Sequence, residues 1–161
     1  MILVDTSIYI EASEDAEVER LLEMLSQKSF VQSCDVIEKE IHKACEFLRG
    51  TGRKGESERL KAIYNKIRAG SIRTTERIAN LAKQYQEAAI MSKEKHKEIN
   101  NDFLIVAAAS VAGVKNIFSF NRKTMASPAL TVYTEVNARH NFRTPVFMTT
   151  KEELSGFLEP L

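Results

Sequence analysis

Short apolar runs alternate along the chain with longer stretches whose apolar residues recur every three or four positions. Ile2-Leu3-Val4 stops at Asp5 and reads as a buried strand. Asp5-Thr6-Ser7 then offers helix-capping side chains. Val18, Leu21, Leu22 and Leu25 predict an amphipathic helix over 15–27. Residues 29–32 are a candidate second strand, and residues 33–35 a cap for the next helix. The inward face of that helix carries Val36, Ile37, Ile41, Ala44, Cys45 and Leu48, and Gly50 ends it. Leu60, Ile63, Tyr64 and Ile67 mark a third helix over 56–68, followed by a connector or short strand at 70–74. Ile78, Leu81, Ala82, Tyr85, Ala88 and Ala89 mark a longer helix over 75–92.

From Asp102 the run Phe-Leu-Ile-Val-Ala-Ala-Ala-Ser-Val-Ala, closed by Gly113, is apolar nearly all round, so it predicts a central, buried helix. Residues 115–120 read as a strand ending at Asn121, residues 128–137 as a helix and residues 144–148 as a last strand. Thr149 or Thr150 with Glu153 forms a capping box for a terminal helix. Strands alternating with helices predict an α/β fold with a mainly parallel sheet. No repeat or internal boundary interrupts residues 1–161, which are expected to form a single domain.

Composition narrows the class. The chain is 43% hydrophobic and 28% charged, with 6 Gly and 3 Pro, the balance of a globular domain rather than of a disordered chain. The longest apolar stretch is far below the ~20 residues of a membrane span, so no membrane role is expected. MILVDTS lacks a basic flank and is not expected to be a signal peptide. Two cysteines, Cys34 and Cys45, make neither a disulfide framework nor a zinc set, which points to the cytoplasm. The net charge is +1, but it is unevenly spread. Residues 1–38 hold 2 Lys/Arg against 9 Asp/Glu, and residues 39–73 hold 10 against 4. The basic segment is either one cationic face or a solvated helical hairpin.

Chemistry concentrates where apolar elements end. Asp5 follows the first strand, Glu40 lies one turn into the second amphipathic helix, and Asp102 opens the buried helix. Ligands of open parallel sheets bind beyond the carboxyl ends of strands, where Asp5 and Asn121 are expected. Asp5 and Asp102 would also serve as ordinary helix caps. Glu38 rivals Glu40 but lies about 200° around the helix from it. Ile37 and Ile41 put Glu40 at the edge of the apolar stripe. Carboxylates gathered without a matching cation repel one another, and a divalent ion with oxygen ligands relieves that repulsion. Other signals carry less. Gly50-Thr-Gly52-Arg-Lys-Gly55 matches a dinucleotide fingerprint but follows a helix, so it reads as a helix–helix loop. His42, His96 and His140 lack metal spacing, Cys45 falls on an apolar face, and Tyr64 and Tyr85 sit at core positions.

ILVDTSIYI, VIEKEI, NNDFLIVAAASVAGV and IFSFNRKTM, in that order across residues 2–125, resemble the PIN-domain family, specifically the VapC-type toxin ribonucleases. The tail VNARHNFRTPVFMTTKEEL resembles the closing strand and helix of one PIN subfamily. The resemblance implies a three-layer α/β/α fold with about five mainly parallel strands. It implies a Mg²⁺- or Mn²⁺-dependent endoribonuclease acting on single-stranded RNA, with an antitoxin protein and a second copy of the chain as partners. Asp5, Glu40 and Asp102 take the acidic positions as metal ligands. Asn121 takes the fourth, which is Asp in many members. Thr6 or Ser7 takes the neighbouring hydroxyl position, and Thr6, Ser7, Ser119, Arg122 and Lys123 are expected to meet substrate. Asn121 keeps one oxygen acceptor but loses a charge, so weaker metal binding, or one metal rather than two, is expected. That departure feeds a second expectation, a PIN-like module that binds RNA or protein with little or no cleavage. A structure-specific DNA nuclease is a third, which the short chain disfavours.

Overall fold

Strand β1 (Ile2–Val4) is wholly buried and lies at the centre of the sheet. The computed structural model describes residues 1–89, 99–129 and 131–159. Helix α1 (Thr6–Glu14) starts directly after Asp5. Asp5 stands at its N-cap but makes no side-chain capping bond, so the capping expected of it does not occur. Helix α2 (Ala16–Lys28) is capped by Asp15, which accepts from the Glu17 amide at 2.9 Å. Strand β2 (Val31–Cys34) begins two residues later than expected, because Ser29 still bonds back to the Leu25 carbonyl.

Helix α3 (Asp35–Gly50) buries Val36, Ile37, Ile41 and Cys45. The cap expected at 33–35 is not used. Asp35 instead accepts from the amide and hydroxyl of Thr74 at 2.8 and 2.6 Å. Helix α4 (Lys54–Ile67) and strand β3 (Gly70–Ile72) follow, and Gly52, at φ +80°, lies in the loop between α3 and α4. Helix α5 (Glu76–Ala89) buries Ile78, Leu81, Ala82 and Tyr85 but leaves Ala89 exposed. Positions 90–92 of the expected helix, and His96, lie outside the described residues.

Helix α6 (Asn101–Ala112) buries every residue from Ile105 to Ser110. Asn100 caps it at 2.7 Å, and Gly113, left-handed at φ 73°, ends it. Strand β4 (Asn116–Phe118) is shorter than expected. The single helix expected over 128–137 is broken, with Leu130 outside the described residues. A π turn (Arg122–Ala126) and a 3₁₀ turn (Ser127–Ala129) precede helix α7 (Tyr133–Ala138). Strand β5 (Val146–Met148) and helix α8 (Lys151–Leu158) close the fold. The capping box is present: Thr150 accepts from the Glu153 amide at 3.1 Å, and the Glu153 carboxylate accepts from the Thr149 amide at 3.3 Å.

The five strands are all parallel, in the order β3-β2-β1-β4-β5. The arrangement is three-layer α/β/α, with α5, α6 and α7 packed together and α1 to α4 forming another group that α8 joins through α2. The chain moves outward on one side from β1 to β3, then returns to build β4 and β5 on the other. The reversal leaves a crevice between the carboxyl ends of β1 and β4, the place where open α/β sheets bind ligands.

Candidate active site

Asp5 leaves β1 at that crevice, opposite Ser119, which leaves β4. The register Val4↔Phe118 sets the pair, and the Asp5 amide donates to the Phe118 carbonyl at 2.9 Å. Asp5 is only 4% exposed. Its Oδ2 accepts from the Ser119 hydroxyl at 2.7 Å and the Ser7 hydroxyl at 3.0 Å. Those two hydroxyls in turn accept from the Asn121 and Phe120 amides at 3.0 and 3.1 Å. The first turn of α1 and the bend after β4 are therefore tied together through one carboxylate.

Glu40 projects from α3, and its Oε1 accepts from the Thr6 hydroxyl at 2.7 Å. Glu38 turns away and pairs with Arg68 and Arg73 at 3.7 and 3.8 Å. Asp102, in the first turn of α6, accepts on Oδ2 from the Asn121 side-chain amide at 2.9 Å and from the Thr124 hydroxyl at 2.5 Å. Thr124 Oγ1 also lies 2.7 Å from Asn121 Oδ1. The π turn makes this contact, because its wide loop from the Asn121 carbonyl to the Ala126 amide swings Thr124 back beneath Asp102.

The three carboxylates share one electrostatic neighbourhood. Burial pushes the Asp5 carboxyl above its ordinary range, the Ser119 and Ser7 hydroxyls oppose this, and the Asp102 charge adds to the rise. Burial likewise raises Glu40; Thr6 and Asn101 oppose the rise, while Asp5 and Asp102 add to it. No Lys or Arg among the described residues forms an ion pair with any of the three. Each carboxylate instead has its own donors: serines for Asp5, Thr6 for Glu40, Asn121 and Thr124 for Asp102. Among the described residues no three Asp, Glu, His or Cys side chains stand close enough to hold a metal ion as they are arranged. The donor chemistry fits Mg²⁺ or Mn²⁺ all the same: hard oxygens, no competing cation among the described residues, and an Asp102 charge that adds to the rise at both Asp5 and Glu40.

The sequence-predicted residues sort plainly. Asp5, Ser7, Ser119 and Asn121 form one bonded cluster, Thr6 and Glu40 a second, and Asp102 joins the first through Asn121. Arg122 and Lys123 are exposed on the π turn, and Arg122 donates to the Thr149 hydroxyl at 3.2 Å. Sequence reasoning missed Thr124 and Asn101 as partners of the carboxylates. Neither carries a spacing signal; only the π turn and the Glu40 side of α6 reveal them. Burial pushes the Cys34 thiol up to about 12, which excludes a thiolate nucleophile there at neutral pH. A cavity of about 270 Å³ beside Arg77, His140 and Phe142 is lined by none of the site residues.

No protein-family model matches the chain, and no curated protein does. Among solved structures, a chain in the crystal structure of VapBC2 from Rickettsia felis bound to a DNA fragment from their promoter is similar, with a TM-score of 0.62 and 14% identity. The match covers 92% of this chain and 98% of that one. The fold is thus the three-layer PIN-like arrangement, and the resemblance to VapC-type PIN domains is borne out at that level.

Proposed function

We propose that this chain is a Mg²⁺- or Mn²⁺-dependent endoribonuclease that cleaves single-stranded RNA, acting as the toxin of a toxin–antitoxin pair. The observation that carries the reading is that burial, with the Asp102 charge adding to it, raises the Asp5 and Glu40 carboxyls beside the carboxyl end of β1, with no described cation paired to any of the three. Asp5, Glu40 and Asp102 would hold the ion, which when bound polarises a phosphate oxygen and makes water a better nucleophile. The chain's own groups prepare that site. Ser119 and Ser7 orient Asp5 and favour its ionised form, Thr6 fixes Glu40, and Asn121 with Thr124 aims Asp102. Arg122 and Lys123, exposed beside Asn121, supply positive charge for the phosphodiester. The likeness to VapBC2 supports an antitoxin protein as partner; a homodimer and a cytoplasmic setting complete the reading. Among the described residues no helix is long and apolar enough to cross a membrane.

The test is cleavage of a labelled single-stranded RNA with Mg²⁺ or Mn²⁺, comparing the natural chain with folded Asp5→Asn and Asp102→Asn variants. The reading expects cleavage by the natural chain, suppression by EDTA, and loss in both variants. Equal cleavage by all three places the chemistry elsewhere. One observation favours a second reading, a binding module that does not cut. The Asn121 amide presents a donor to Asp102 where a fourth carboxylate would have presented a ligand oxygen. RNA binding without cleavage under either metal would establish that alternative.

A further inference from the structure

Beyond the carboxylates, the helix that carries Glu40 also carries an unusual outer edge. Phe47 is 66% exposed, the most open large apolar side chain among the described residues. It stands seven residues after Glu40 and four after Lys43, and positions at i, i+3 and i+7 share one helix face. Glu40, Lys43 and Phe47 therefore form a single line along α3. The line leads ~10 Å from the candidate active site at 1.5 Å per residue. Lys43 is exposed and makes no ion pair among the described residues. The segment 39–73 that contains it is the basic part of the chain.

A lone exposed phenylalanine is ordinary. One set beyond an unpaired lysine, on the same ridge as a site carboxylate, has the chemistry of a single-strand track. Aromatic faces take bases, and ammonium groups take the phosphates between them. We propose that Phe47 stacks on a base of single-stranded RNA a few nucleotides from the bond cut, while Lys43 holds an intervening phosphate. This rests on the ribonuclease reading and adds a binding subsite to it. The contact is sequence-tolerant, because every base has a stacking face.

The chain contains no tryptophan, so Phe47→Trp introduces a single tryptophan at the proposed contact, whose emission is separable from that of the tyrosines. Its emission should be quenched as a labelled single-stranded oligoribonucleotide is titrated in, with EDTA present to prevent cleavage. In the same buffer, fluorescence anisotropy should show Phe47→Ala weakening binding about tenfold, while Phe47→Trp retains it. Lys43→Ala should reduce the slope of log affinity against log salt by about 0.7. Phe157→Ala, which removes an exposed ring on α8, should bind as the natural chain does. Unchanged affinity in Phe47→Ala, with the natural chain binding RNA, overturns the stacking proposal and leaves the nuclease reading standing. No RNA binding by the natural chain, either in EDTA or with Ca²⁺ supplied in its place, overturns both. A changed oligomeric state in Phe47→Ala on size-exclusion chromatography, with RNA affinity intact, assigns the ring to a protein interface and also overturns the proposal.

Discussion

At Asp5, burial and hydrogen bonding act against each other. Burial raises its pKa and the two serine hydroxyls hold the charged form, but burial dominates. The folded state therefore keeps the Asp5 proton to higher pH than the unfolded chain, whose ordinary value is 3.8. Stability from this group is fully present below that value and falls as pH rises through the raised folded pKa. Asp5→Asn removes the ionised group while keeping an acceptor for Ser119. It should raise Tm at pH 7 by ~2–4 °C for each kcal/mol of relief, and the difference should vanish at low pH. Thermal denaturation across pH checks this, and a lower Tm at pH 7 would contradict it. Asn121→Asp acts in the opposite sense. It replaces the amide that donates to Asp102 with a second carboxylate, so in EDTA it should lower Tm. In Mn²⁺ it should tighten metal binding by ~10-fold, the size of a 1.4 kcal/mol gain, and speed cleavage. At this scale the acidic residues were legible because they stand at the ends of apolar elements. The apolar stripe of α3 favoured Glu40 over Glu38 without deciding between them; in the structure Glu40 takes the Thr6 hydroxyl while Glu38 pairs with Arg68. Thr124 was illegible because its contact depends on a backbone turn that no side-chain pattern announces.

Among the elements, those with strong patterns and chemical stops were readable. Helix α6 shows its buried run and its left-handed Gly113, although its cap is Asn100 rather than the expected Asp102; α8 shows its Thr150–Glu153 box. Short elements set by their neighbours were not. Strand β2 slid two residues because α2 ran on to Lys28, and α1, nine residues long, lacked a distinct polar face. The helix read from 128 onward starts only at Tyr133, behind a 3₁₀ turn and the wide π turn of Arg122–Ala126. Such wide turns recur at functional sites, and this one delivers Thr124 to Asp102. Thr150→Ala should destabilise the fold by ~1 kcal/mol, since it strips the α8 N-cap. The same variant should leave divalent-metal affinity unchanged, because α8 packs on α2 rather than on the site. Denaturant unfolding followed by metal titration checks both, and a change in metal affinity would mean that α8 supports the site after all.

Across the whole molecule, the parallel α/β class was legible from the alternation of strand and helix patterns, but the strand order was not. Asp5, Glu40, Asp102 and Asn121 come from four separate stretches of chain, and only the order β3-β2-β1-β4-β5 puts β1 beside β4 and so brings Asp5 to Ser119 and Asn121. Long-range pairing of this kind is set by packing of the complete sheet, which local propensity does not encode. The measurement closest to the central claim is calorimetric titration of the folded chain with Mn²⁺ in the absence of RNA. The account predicts a binding isotherm for the natural chain that is lost or strongly weakened in Asp5→Asn, Glu40→Gln and Asp102→Asn, with Glu38→Gln unaffected. Mn²⁺ binding that survives all three substitutions, or no binding by the natural chain, would contradict it.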